Sequence, residues 1–123
     1  MQSRNLLARE LSVMLKAIAH PDRIRIIEEL KTGALDVSAL STRLGVSSTR
    51  ISQHLALLKV PRLVEERRNG RFHCYSLADQ DLAGWILGGT PFIERRIASD
   101  IASQQMIEHA KKIWTDDAQE QPN

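Results

Sequence analysis

The stretch "VSALSTRLGVSSTRISQHLALLK", Val37 to Lys59, decides the fold. It divides at Gly45-Val46-Ser47 into two amphipathic segments. In the first, Val37, Leu40 and Leu44 recur at helical spacing and Asp36 is placed to cap the start. In the second, Ile51, Leu55 and Leu58 form one apolar stripe, and Ser47 is a good N-cap. Two short helices joined by a glycine-containing turn of about three or four residues make a helix-turn-helix. The second helix has an unusual front end. Ser47, Ser48, Thr49, Arg50, Ser52 and Gln53 turn away from the core, and no acid stands among them. Arg50 occupies the third position after the cap, where a capping box would place Glu or Gln. For the serines alone, a solvated surface is the plainer reading. For the whole front end, the free N–H groups and partial positive charge of a helix N-terminus favour a surface that meets phosphate.

Upstream, Leu7, Leu11, Met14, Leu15 and Ile18 predict a helix from Arg4 to Ala19, broken by His20-Pro21. A second helix follows with Ile24, Ile27 and Leu30 inward, and "KTGALD" ends it at a glycine. Downstream, "RLVEERRNGRFHCYSL" reads as a hairpin of two short runs separated by Arg68-Asn69-Gly70, where Asn-Gly is a strong turn signal because both residues accept positive φ. Arg67, Arg68 and Arg71 lie at or near its tip, and strand alternation puts Glu65 and Glu66 on opposite faces. Asp79 or Asp81 starts a short helix through Leu87. Thr90-Pro91 then opens a last helix running to Trp114, with a stripe of Ile93, Ile97, Ala98, Ile101, Ala102, Met106, Ala110 and Ile113. That stripe is more apolar surface than a solitary terminal helix leaves wet. "TDDAQEQPN" reads as a disordered tail, so the expected organisation is one domain over 1–115 and a tail over 116–123. The fold class is mainly α with a small β-hairpin.

Composition agrees with that class. Of 123 residues, 42% are hydrophobic and 4% aromatic, so the core is built from Leu, Ile, Val and Ala, which favours helices over a sandwich or barrel. The net charge of +2 is too mild to argue for nucleic acid by itself, so the distribution of charge decides. No run approaches the ~18 consecutive apolar residues of a membrane span. "MQSRNLLARELSVML" carries Arg9 and Glu10 within its apolar pattern and is not a secretory signal. One cysteine excludes an intramolecular disulfide and fits a cytoplasmic location.

Helix, helix, helix-turn-helix, arginine-tipped hairpin, helix, long helix is the layout of a winged helix-turn-helix. "LKAIAHPDRIRIIEEL", "VSALSTRLGVSSTRISQHLALLK" and "LVEERRNGRFHCYSL" resemble, in order and register, the successive signatures of the ArsR/SmtB family of bacterial repressors. The resemblance covers Leu15 to Leu77. It implies a homodimer whose first and last helices pack across a two-fold axis, here through Leu7, Leu11, Ile93, Ile97 and Ile101. It also implies repression from a palindromic DNA operator and release by an inducer. The expected function is therefore a sequence-specific transcriptional regulator, not an enzyme, with no cofactor and no metal. Ser47, Ser48, Thr49, Arg50, Ser52 and Gln53 are the expected groove residues, with Arg67, Arg68 and Arg71 in the wing. Arg50 suits a guanine edge and Gln53 an adenine, and either suits a phosphate. Arg23 reads equally as a backbone contact or an ion-paired side chain, and His54 as a packed, hydrogen-bonded histidine.

Departures from the family pattern concern the inducer. Where some members carry a Cys-x-Cys at the start of the third helix, this chain has Asp36 and Ser38. The register of a second family metal site falls on Asp79, Asp81, Phe92 and Arg95, and the dithiol switches need a second cysteine besides Cys74. Cys74 reads as a small hydrophobe of the wing strand, since neighbouring His73 points to the other face. Glu108, His109, Asp116 and Asp117 read as a solvated helix end rather than metal ligands. Arg62 stands where many relatives place glycine and is a further candidate phosphate contact. Two rival functions remain open at this stage, a winged-helix module for a protein partner and a Cys-His hydrolase that lacks an orienting third residue.

Overall fold

His20 and Pro21 set the first corner of the structure. In the computed structural model, which describes residues 2–97 and 101–119, helix α1 spans Gln2–Ile18 and α2 spans Pro21–Leu30. Pro21 takes the first position of α2, and the imidazole Nδ1 of His20 accepts the Asp22 N–H at 3.0 Å in place of the usual Ser or Asp cap. A two-residue strand β1 (Leu35–Asp36) leads into α3 (Val37–Leu44), whose first turn is capped by Asp36 accepting the Ala39 N–H at 2.7 Å. Gly45 closes α3 at φ 68, a left-handed conformation that glycine adopts without penalty. Ser41 binds both sides of this turn, its carbonyl accepting the Gly45 N–H and its hydroxyl donating to the Val46 carbonyl. Helix α4 (Ser48–Lys59) follows, then the hairpin strands β2 (Val64–Asn69) and β3 (Phe72–Leu77). The sheet order is β1-β3-β2, antiparallel throughout.

The chain forms two compact units, Met1–Asp79 and Gln80–Asn123. The core of the first is Ile18, Ile26, Ile27, Leu30, Leu40, Ile51, Leu55, Leu58, Val64 and Leu77, all buried. Ile26 replaces Ile24, which is only half-buried, as the central inward residue of α2. Arg25 bonds the buried Glu28, and Glu29 bridges to Arg25 and across to Arg43 on α3. The second unit holds α5 (Leu82–Leu87), α6 (Thr90–Arg96) and α7 (Ile101–Gln119), with Lys111 on α7 paired to Glu94 on α6 at 2.9 Å. Two expectations change here. The last helix is two helices, because Ile97 leaves helical geometry at φ −106, ψ 20; Ala98 lies outside the described residues. Helix α7 also continues to Gln119, through part of the segment expected as tail, and 120–123 lie outside the described residues.

The end of α4 explains the missing glycine. Leu63 N–H bonds Leu58 O and Arg62 N–H bonds Lys59 O, the hydrogen bonds of a Schellman motif. That motif puts Arg62 at φ 60, the only positive φ outside glycine among the described residues. A side chain there crowds its own carbonyl, at a cost of roughly 1–2 kcal/mol. Arg62→Gly is therefore expected to raise the stability of the folded chain by about 1 kcal/mol, after allowing for the greater freedom of glycine when unfolded. Chemical denaturation checks this: the midpoint should move up, and an unchanged or lower midpoint would contradict the strain.

Candidate nucleic-acid interface

Helix α4 is pinned from behind and open in front. Ile51, Leu55 and Leu58 have no exposed surface, and burial of each stabilises the helix by roughly 1.5–3 kcal/mol. On the other side Ser47, Ser48, Thr49, Arg50, Ser52 and Gln53 are all exposed. Ser47 Oγ accepts the Arg50 N–H at 3.3 Å, so the helix starts where the sequence places it. The first turn contains no acid, and the opening turn of a helix leaves backbone N–H groups without intrahelical partners.

Behind Arg50 lies a polar cluster that joins α2 to α4. His54 is buried, and its Nδ1 accepts from Arg23 Nε at 3.3 Å. Arg23 also donates to the Ala17 carbonyl at 2.8 Å, so its guanidinium serves the interior. Asp22 Oδ2 lies 3.5 Å from both His54 Nε2 and Arg50 Nη2. The His20 and His54 ring centroids lie 4.5 Å apart, with the rings tilted at 44° to one another. Burial, then the neighbouring His20 and Arg23, push the His54 pKa down, so the ring stays neutral near pH 7. With Nδ1 accepting from Arg23, the neutral ring carries its proton on Nε2, which makes no hydrogen bond among the described residues although Asp22 Oδ2 lies 3.5 Å away. Among the described residues, His20, Asp22 and His54 are the group whose donor atoms lie close enough to share a metal, within 4.8 Å. Their chemistry suits it poorly: each histidine already uses Nδ1 to accept an N–H, and two guanidiniums border the cluster. The sequence marked His20 only as part of a helix break and did not mark Asp22. Their partners lie on another helix, and no periodic pattern connects them.

The wing is built on Glu66. Its carboxylate faces His73 Nδ1 at 2.9 Å, accepts from Tyr75 Oη at 2.9 Å and pairs with Lys59 Nζ at 3.2 Å. These partners, His73 first, hold its pKa down to about 2, so the acid stays ionised and fastens the wing strand to the end of α4. Glu65 is exposed on the opposite face, as alternation requires. The turn is shorter and later than Arg68-Asn69-Gly70: Arg68 pairs with His73 and Asn69 with Phe72, and the loop is Gly70-Arg71 with Gly70 at φ 64. Arg71 therefore sits in the turn itself. Arg67 and Arg68 lie on opposite faces of β2, and all three arginines are exposed.

Residues 20–66, from the α2 cap into the wing, match the model of the arsR family of bacterial regulatory proteins. The chain is 34% identical over 77 residues to the transcriptional repressor SdpR of Bacillus subtilis, covering 60% of this chain and 86% of that protein. The chain belongs to the ArsR family. The chain is also similar to the transcriptional activator HlyU of Vibrio cholerae, 36% identical over 74 residues, 60% of this chain and 68% of HlyU. The homodimeric winged helix-turn-helix DNA-binding domain of Mb0332 from Mycobacterium bovis superposes with a TM-score of 0.68 at 29% identity, over 80% of this chain and 92% of that one. The winged helix-turn-helix architecture is thus shared with ArsR regulators of known structure.

Within this ArsR fold Asp36, Phe92 and Arg95, three of the departing positions, make structural contacts. Asp36 caps α3 and stands opposite Cys74 in the sheet register. Cys74 is half-buried. On α6, the Arg95 guanidinium lies 5.7 Å from the Phe92 ring centroid. Asp81 precedes α5 without a capping bond from its carboxyl. Leu7, Leu11, Ile93 and Ile101 are exposed large hydrophobics and Ile97 is half-buried. Helix α1 buries only Ile18, and no residue of α6 is buried. Glu108 lies 3.6 Å from Lys111, while the Asp117 side chain lies outside the described residues.

Proposed function

We propose that this ArsR regulator works in the cytoplasm as a homodimer that binds a palindromic DNA operator, represses transcription there and leaves when a signal binds. The observation that carries the reading is the front of α4: six exposed polar or basic side chains, no acid in the first turn, and a buried stripe that fixes the helix behind them. A major groove admits such a helix, and the forked donors of Arg50 and the amide of Gln53 match the edges of guanine and adenine. Ser47, Ser48, Thr49 and Ser52 supply hydroxyls for phosphates or bases. Arg67, Arg68 and Arg71 reach the backbone beside the groove. The exposed leucines of α1 and isoleucines of α6 and α7 offer apolar faces to a second copy. Repression follows the SdpR likeness; HlyU shows that a relative of similar identity carries the name of an activator.

The test begins with a pool of random duplexes and the full chain. Selection should converge on a sequence with two related half-sites. Binding to it should weaken steeply with salt, by about 0.9 in log–log slope for each phosphate neutralised. If no sequence is enriched and binding is indifferent to salt, the reading fails in favour of a winged-helix module for a protein partner.

A further inference from the structure

Asp22 carries a charge that duplex binding alone does not explain. It is the second residue of α2, where the helix N-terminus accounts for an acid but not for its aim at Arg50. A carboxylate beside a surface for phosphates repels every duplex alike. The buried side of the cluster borders that carboxylate. The Ala17 carbonyl accepts from Arg23, Arg23 Nε donates to Nδ1 of His54, and Asp22 Oδ2 lies 3.5 Å from His54 Nε2. His54 Nε2 has no hydrogen-bond partner among the described residues, and the His54 side chain is nine-tenths buried. Arg50, 60% exposed, is the solvent end of this chain of contacts.

A guanidinium offers five N–H donors in a fixed fork, so contact with Asp22 through Nη2 leaves other donors for a second acceptor. Such a half-exposed pair is weak, and so it biases Arg50 without locking it. We propose that Asp22 is a specificity-determining positioning residue, holding the Arg50 guanidinium so that its free donors meet a base edge rather than a phosphate. This rests on the DNA reading of α4. A phosphate attracts a mobile arginine by charge alone, whereas a guanine edge requires the fork to be aimed. Asp22 therefore weakens binding to all sequences but costs the right one less.

The experiment uses the full chain, the duplex selected by the wild type and a shuffled duplex, each titrated across a salt series. The proteins are wild type, Asp22→Asn, Arg50→Ala and the double variant. Asp22→Asn should bind the shuffled duplex more tightly and lower the selected-to-shuffled preference about tenfold, within the discrimination of one bidentate contact. Its salt slope on the shuffled duplex should steepen by about one, as Arg50 turns to a phosphate. In the Arg50→Ala background the same substitution should leave the preference within about twofold, as for an uncoupled pair. Asp22→Ser, also compatible with a helix N-terminus, carries the same expectations if Asp22→Asn does not fold. The proposal is overturned if loss of the carboxylate leaves the preference unchanged, or lowers it equally without Arg50. A wild type that selects no sequence overturns the DNA reading itself; one that selects normally while Asp22→Asn keeps its preference removes only the role given to Asp22.

Discussion

Replacing Arg67, Arg68 and Arg71 together with alanine is expected to weaken duplex binding about a hundredfold at physiological salt. Each phosphate contact contributes about 0.9 to the log–log salt slope, so loss of the wing should flatten that slope by about 2.7. Between molar salt and ~0.15 M, that change corresponds to roughly two decades of affinity. The effect should be nearly the same on the selected and the shuffled duplex, because backbone contacts carry no sequence information. Stability should move by less than about 0.5 kcal/mol, since the three side chains are exposed. The fold of the wing depends instead on Val64, Leu77 and the Glu66 cluster. Fluorescence anisotropy over a salt series reads both affinity and slope. If the slope stays at the wild-type value, these arginines do not touch phosphate. A loss confined to the selected duplex would instead make them base readers.

The parts of this structure that were legible in the sequence are those whose determinants are local. Asp36, Gly45 and Ser47 punctuate α3 and α4 within a few residues of what they cap, and the stripe Ile51, Leu55, Leu58 states which face is buried. Alternation along β2 separated Glu65 from Glu66 for the same reason. Strand β1 escaped because two residues carry no pattern, and its pairing of Leu35 with Tyr75 is visible only once the chain has folded back. The hairpin turn falls at Gly70-Arg71 rather than Arg68-Asn69-Gly70 because turns at Asn69-Gly70 and Gly70-Arg71 both place glycine where φ is positive, and side-chain pattern alone does not choose between them. The break at Ile97 lies inside a continuous apolar stripe, with neither Pro nor Gly to mark it. The cluster behind Arg50 was the largest omission. Arg23 meets His54 across 31 positions of sequence, and paired polar residues leave no periodic trace. The candidate reading residues were therefore legible as a surface, while the device that orients Arg50 required the packing of α2 against α4.

The double substitution Leu7→Glu, Leu11→Glu is expected to give monomers whose affinity for the selected duplex falls about a thousandfold. These leucines stand one turn apart on the same face of α1 and are 62% and 41% exposed within the chain. Helix α1 is 17 residues long and buries only Ile18, yet most helical stability in proteins comes from packing an amphipathic face. Its apolar face therefore needs a cover that its own unit does not supply, and a second copy is the cover proposed here. Two carboxylates in that face would be desolvated without partners in the dimer but remain hydrated in a monomer. Because Leu7 and Leu11 contribute little to the core of one chain, the variant should keep its helical content while sedimentation gives the mass of one chain. A monomer engages one half-site at a time and forfeits the effective concentration by which the first contact aids the second. Its affinity for an isolated half-site should accordingly match that of the wild-type half, and only the intact palindrome should discriminate the two proteins. Dimers that survive both glutamates would move the interface to the isoleucines of α6 and α7. Monomers that still bind the palindrome as tightly as wild type would refute the two-fold reading of the operator.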